Sequence, residues 1–256
     1  MDGPALSQPK PFEVAGDLRF GDLLAALAAG WDDFRATPQF GLFFGAIFAL
    51  SGVALSYLLL ERGEISWLIP AAAGFPLLAP FAAVGLYEVS RRREAGIPMT
   101  WGGILGAVRG RGDDQILSMG VIIFVAFGFW VIIAHLVFSI FLVEAGAGSD
   151  SLAFLLTSAG ITMLLVGSVI GAIIALAFYA ITVISLPLLV HREVDFLTAI
   201  FASLKAFRDN RAVLLGWAFV VATLLALAMV PAFLGLFVVL PVLGHATWHL
   251  YRRIVS

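Results

Sequence analysis

The sequence predicts an all-α polytopic membrane protein with six transmembrane helices and short amphipathic helices on the cytoplasmic surface. Three observations predict it. Of the 256 residues, 61% are hydrophobic and 12% charged, where a soluble domain runs about 45–50% and about 25%. That much apolar surface exceeds what a soluble interior hides, so lipid must solvate it. Six runs reach the roughly 20 apolar residues that cross about 30 Å of hydrocarbon. Finally, 14 of the 15 Lys and Arg residues fall in alternate loops, and the basic side stays in the cytoplasm.

Residues 1–19 read as a polar cytoplasmic tail holding Pro4, Pro9 and Pro11, without the basic start and apolar core of a cleaved signal peptide. Residues 20–256 read as one six-span membrane domain. The first span runs from Phe40 to Leu60 and is ended by Glu61 and Arg62. The second runs from Trp67 to Val89 and stops at Arg91, Arg92 and Arg93. The third covers Ile116 to Val143, before Glu144. The fourth lies within Gly160 to Val190, because a helix starting at Leu152 would be too long to span upright; Leu152–Ser158 is placed along the outer surface. The fifth is Ala212 to Val230 and the sixth Phe233 to Leu250, joined by a short turn at Pro231 and Gly235. Lys10, Arg19 and Arg35 precede the first span; Arg109 and Arg111 join the arginine triplet; Arg192, Lys205, Arg208 and Arg211 follow the fourth span; Arg252 and Arg253 end the chain. The opposite side holds Arg62 alone. Both termini are therefore expected in the cytoplasm.

Each odd-numbered span follows an amphipathic stretch, at 20–35, 101–114 and 196–211. Leu23, Leu24 and Leu27, or Ile200, Phe201 and Leu204, recur at i, i+1 and i+4, which suits helices lying in the interface plane. Each even span carries Pro80, Pro187 or Pro241 and ends in a basic stop. The pattern predicts a threefold repeat of surface helix, span, span, at 20–93, 100–192 and 196–253.

Few residues can carry chemistry. The chain has no cysteine, so thiolate chemistry and disulfides are excluded. His245 and His249 stand i, i+4 on one helix face and can share a metal ion such as copper or zinc. The plainer reading puts His249 in an interfacial aromatic belt with Trp248 and Tyr251, and has His245 bond a neighbouring helix. His135 lies inside the third span, where a titratable group is a functional candidate or a neutral helix-bonding group. Pro76 and Pro80 remove donors from the second span and kink it; the freed carbonyls suit an ion pathway or a simple bend. Glu88 is either a proton or cation site or an i, i+3 and i+4 partner of Arg91 and Arg92. Gly41 and Gly45, and Gly167 and Gly171, are small-xxx-small packing faces, open to use within or between molecules. Trp31-Asp32-Asp33 and Asp113-Asp114 are placed in surface turns, capping helices.

There is no phosphate-binding Gly-Lys-Ser/Thr loop, no Gly-x-Ser-x-Gly elbow and no His-Glu-x-x-His pair, and no nucleic-acid module. An enzyme is disfavoured, and no cofactor is expected beyond a metal or haem at the histidines.

Four stretches carry a family resemblance: Leu27-Ala-Ala-Gly-Trp-Asp-Asp33; Ala73-Gly-Phe-Pro-Leu-Leu-Ala-Pro80 with Gly85-Leu-Tyr-Glu-Val-Ser-Arg91; Ser185-Leu-Pro-Leu-Leu189; and Gly244-His-Ala-Thr-Trp-His-Leu-Tyr-Arg252. The chain resembles a bacterial family of integral membrane proteins catalogued as domain of unknown function 2189. The resemblance implies a six-span inner-membrane protein of proteobacterial type and supplies no activity. The first expectation for function is non-catalytic: an accessory or assembly subunit of a larger membrane complex, such as a respiratory one, with lipid and other integral membrane proteins or its own copies as partners. The alternatives are a small transporter or channel built on the second span, Glu88 and His135, and a metal or haem protein built on His245 and His249.

Overall fold

The computed structural model describes residues 12–63, 67, 79–109, 115–144 and 152–256. Within them the chain is helical: α1 (Phe20–Ala36), α2 (Pro38–Glu61), α3 (Ala79–Glu94), α4 (Trp101–Leu105, continued by a 3-10 turn at Gly106–Arg109), α5 (Gln115–Glu144), α6 (Ser158–Thr182), α7 (Ser185–His191), α8 (Phe196–Asp209), α9 (Arg211–Met229) and α10 (Leu236–Ile254). The predicted kink at Pro76 and the Asp113-Asp114 pair lie outside the described residues; Pro80 falls within the first turn of α3.

Four stretches are long and apolar enough to cross a membrane: Pro38–Glu61, Gln115–Phe141, Ser158–His191 and Arg211–Met229. They match the first, third, fourth and fifth predicted spans within a few residues. About half of the second, residues 68–78, lies outside the described residues. The sixth is helical as expected, in α10, but Arg252, Arg253 and two histidines crowd its end, and it is not among the four. In the 115–141 stretch 17% of the apolar window is buried inside the molecule, and in 158–191 only 6%. Such apolar yet outward-facing helices need lipid as solvent.

Helix ends follow local chemistry. Thr100, Thr157 and Asp195 cap α4, α6 and α8, each accepting from the backbone N–H three residues on, as short polar side chains do at N-caps. Leu152–Leu156 forms a 3-10 turn that leads into Thr157, so α6 starts where the length argument put it. A single non-helical residue separates α1 from α2 (Thr37, φ −136°, ψ 51°) and α8 from α9 (Asn210, φ −121°, ψ 30°). Pro38 then opens α2, since a first-turn proline needs no N–H partner. Between α6 and α7 the helix breaks at Val183 and Ile184; the buried Ser203 hydroxyl of α8 accepts from Ile184 N (3.2 Å) and donates to Ala180 O (2.7 Å), satisfying groups that the break frees.

α1, α4 with its 3-10 turn, and α8 each show apolar residues outward at helical spacing: Phe20, Leu24 and Trp31 at i, i+4 and i+11; Trp101, Leu105 and Val108, and Leu197, Phe201 and Leu204, at i, i+4 and i+7. Inward, α1 buries Leu23, Ala26, Gly30, Asp33 and Phe34, and α8 buries small residues, Ala199, Ala202, Ser203 and Ala206. α1 and α8, apolar on both faces and charged between them, fit an interfacial position.

α10 is the axis of the core. It packs against α1, α2, α3, α7 and α9, and its Trp248 and Tyr251 have no exposed surface. Glycines permit the close approaches: a Cβ on Gly30 would lie 2.6 Å from Ala246 N, and one on Gly45 2.8 Å from Phe237 Cα. The α9–α10 turn holds Ala232 (φ 50°) and Phe233 (φ 64°) in the left-handed region. Gly235, expected to make that turn, instead lets the backbone pass Ala228, whose Cα would be 2.6 Å from a Cβ there. Finally, Val14 and Val255 form an antiparallel bridge, and Asn210 Nδ2 donates to Ala15 O (2.7 Å). These contacts hold the two ends of the described chain side by side.

Candidate functional site

The polar residues gather where α1, α3 and α10 meet. Asp33 is at the centre. It was expected in a surface turn; it sits instead in the last turn of α1 with 1% of its surface exposed, so the capping assignment is corrected. The reason is helical spacing: Leu23, Ala26, Gly30 and Asp33 share one face, and that face is pressed on α10. One carboxylate oxygen accepts from the Ser90 hydroxyl (2.6 Å) and from His249 Nε2 (2.8 Å), and the other pairs with Arg93. Burial pushes the Asp33 carboxyl up, but the hydrogen bonds from His249 and Ser90, the His249 charge and Arg93 outweigh it and hold it at about 2. Asp33 is thus a carboxylate, an acceptor only.

That fixes the proton pattern around it. Ser90 has one proton and gives it to Asp33, so His245 Nδ1, 2.8 Å from the Ser90 oxygen, must carry a hydrogen and donate. The His245 Nε2 lone pair is then buried without a partner. His245 and His249 do share a face, as their spacing predicted, and that face is turned to Asp33: His249 directly, His245 through Ser90. Among the described residues, no three of His, Cys, Asp and Glu are grouped to hold a metal ion.

A second knot lies one turn away on α3. Glu88, 5% exposed, takes both Arg91 Nε and Nη2 at 2.6 Å and Arg92 Nε at 2.6 Å. Arg92 Nη1 also donates to Pro98 O (2.8 Å). Gly103 lies under the Arg92 guanidinium, which a Cβ would meet at 2.2 Å. A third tie joins α3 to α10: Glu94 accepts from Trp248 Nε1 (3.1 Å) and Arg252 Nε (2.9 Å). Beside these, His191 Nδ1 and Tyr251 OH are 2.8 Å apart.

His135 is elsewhere. Its ring stacks on Trp67, with centroids 4.1 Å apart and planes 5° from parallel, and its Nδ1 is buried without a partner. Among the described residues, no hydrogen bond or ring contact joins it to Glu88. Gly41 and Gly45 meet α1 and α10 atoms: a Cβ would approach the Phe34 ring at 2.6 Å and Phe237 Cα at 2.8 Å. Gly171 is covered by the Trp130 ring (2.8 Å), whereas Gly167 has only Val137 Cγ1 nearby, at 3.8 Å.

Two apolar cavities lie between helices. One, of about 510 Å³, is bounded by α5, α6 and α9 and includes Trp130, Val137, Gly167, Gly171 and Ala226. The other, of about 460 Å³, is bounded by α3, α6, α9 and α10. Ala172, Ala175 and Ala222 line both. Sequence reading gave Arg93 a part only in the basic stop and assigned no site role to Ser90 or Trp217. Only Asp33 left a signal, an acidic residue in register with an apolar stripe.

Residues 68–191 match the family model described as predicted integral membrane protein, DUF2189. The matched region includes the Glu88 knot, Ser90 and Arg93, and leaves Asp33, His245 and His249 outside it. No curated protein and no solved structure matches the chain.

Proposed function

We propose that this integral membrane protein is non-catalytic and serves as an accessory or assembly subunit of a larger membrane complex, seating a partner's transmembrane helix against α5, α6 and α9. The observation that carries this reading is the 510 Å³ groove. Apolar exposure alone does not drive helices together in lipid; small residues do, by letting backbones approach and pack. Gly167, Ser168, Ala172 and Ala175 of α6 and Ala222 and Ala226 of α9 give the groove that character. The polar clusters fit a structural role, since Asp33, Glu88 and Glu94 each already accept from at least two donors.

In this reading the chain crosses a bacterial inner membrane six times, with both termini cytoplasmic. The one-sided Lys and Arg distribution, the paired chain ends and the three surface helices with outward apolar stripes support it. The threefold repeat is supported by the one-residue breaks at Thr37 and Asn210, each joining a surface helix to a span. Transport through Glu88 and His135 has less support, because the first is held by two arginines and the second is stacked on Trp67. A metal on His245 and His249 would have to displace Asp33 from the His249 nitrogen that faces the cluster.

Native mass spectrometry of the tagged protein, extracted from its own membranes in mild detergent, tests the reading. Added polypeptide mass at fixed stoichiometry, lost in Gly167→Leu, is the expected result. A bare monomer or homo-oligomer overturns it.

A further inference from the structure

We infer that the cavity between α3, α6, α9 and α10 binds an apolar molecule carrying a neutral carbonyl at one end, and that the Trp217 indole N–H donates to that carbonyl. At about 460 Å³ the cavity falls within the roughly 300–1,000 Å³ of small-molecule sites. Alanines make it hollow, among them Ala79, Ala83, Ala172 and Ala218. Trp217 lines it, has no exposed surface, and its Nε1 has no acceptor. A buried donor left unmet costs free energy that phenylalanine at the same place would avoid, so an acceptor is the missing element. Indole is a donor only.

Three other lining hydroxyls are engaged: Tyr179 donates to Leu214 O (2.8 Å), Thr182 to Phe178 O (2.8 Å) and Thr247 to Leu243 O (2.8 Å); the Tyr87 hydroxyl lines the same cavity and is a second group that can meet a polar head. The described lining holds no Lys, Arg, His, Asp or Glu, so a charged head has nothing to neutralise it there and the carbonyl must be uncharged: an ester, ketone, amide or quinone. The cavity is also directional. Tyr87, Trp217 and Thr247 lie at the end next to Glu88 and His245, while Ala172, Ala222 and Leu225 lie further along their helices. The carbonyl therefore sits by the polar clusters and the chain runs away from them.

Two sources supply such a group: the acyl ester of a membrane phospholipid and a free quinone. Delipidated full-length protein in mild detergent is titrated by native mass spectrometry with dioleoylphosphatidylglycerol, with its ether-linked analogue lacking ester carbonyls, and with decylubiquinone. A saturable one-to-one adduct with the ester lipid, weakened about three- to tenfold in the ether analogue as expected for one lost hydrogen bond, supports the inference and assigns a membrane lipid. A one-to-one adduct with decylubiquinone alone supports it and assigns a free quinone. In either case Trp217→Phe weakens binding by a similar factor, and Ala218→Phe, which fills the cavity, abolishes it. Failure of both carbonyl probes to saturate, or equal binding of ester and ether lipid with no quinone adduct, overturns it. The ester–ether comparison uses the unmodified protein, so it does not depend on a variant's folding. Copurification of a partner polypeptide is a separate outcome.

Discussion

At the scale of the residue, Asp33 is placed against the ordinary electrostatic preference. It stands in the last turn of α1, where a helix end carries partial negative charge and favours cations. Arg93, Ser90 and His249 offset that. Because the folded carboxyl titrates at about 2, below the unfolded value of about 3.9, its contribution is complete above about pH 5 and is lost as pH falls through 2; the shift corresponds to about 2.5 kcal/mol. Asp33→Asn is expected to lower thermal stability in detergent at pH 7, and the gap to wild type should close as pH falls from about 5 to 2. Parallel melting curves for the two proteins over that range would remove Asp33 from the centre of the cluster. Little of the cluster was legible in sequence, since Ser90 lies 57 residues from Asp33 and 155 from His245. The i, i+4 histidines revealed their shared face but not what that face meets.

At the scale of the element, run length located four of the six predicted spans and misjudged what surrounds them. An apolar run of about 20 residues marks a helix, and lipid-facing and protein-facing runs look alike until the partners are known. α2 and α6 carry the same Gly-xxx-Gly spacing in different settings. Gly45→Ala should destabilise by about 1–3 kcal/mol, because the new methyl meets the α10 backbone rather than a side chain that can turn away. Gly167→Ala should be neutral or stabilise by up to about 1 kcal/mol, since only Val137 is near and alanine favours helix. Thermal unfolding of both variants in one detergent checks this; equal shifts would contradict the packing of α2 on α10. The middle surface helix is the shortest of the three for a local reason: Gly102, Gly103 and Gly106 interrupt it, and each glycine costs about 1 kcal/mol of helix propensity.

At the scale of the whole molecule, topology is the open quantity that can be measured most directly. The chain has no cysteine, so single cysteines report cleanly. Leu234→Cys, at an exposed position in the α9–α10 turn, and Ser256→Cys should react with a membrane-impermeant maleimide from opposite sides. Reaction from the same side would take α10 out of the membrane. The alternating charges already pointed to this arrangement, because loop charge is read by the membrane itself and needs no knowledge of packing. The cavities could not be read so, since a void depends on which small residues from distant helices come to face each other.

The packing of α1 on α10 also dictates an order of events. Ala36 ends the first helix and Leu236 begins the last. At about 5–20 residues per second, synthesis of the intervening chain leaves α1 waiting roughly 10–40 s for its partner. Through that interval Asp33 has neither His249 nor His245 to meet. A helix lying at the water boundary can keep such a carboxylate hydrated, where one already inserted in hydrocarbon could not. In the proposed topology, closure of the bundle follows the synthesis of α10, and an interfacial α1 keeps Asp33 hydrated until then.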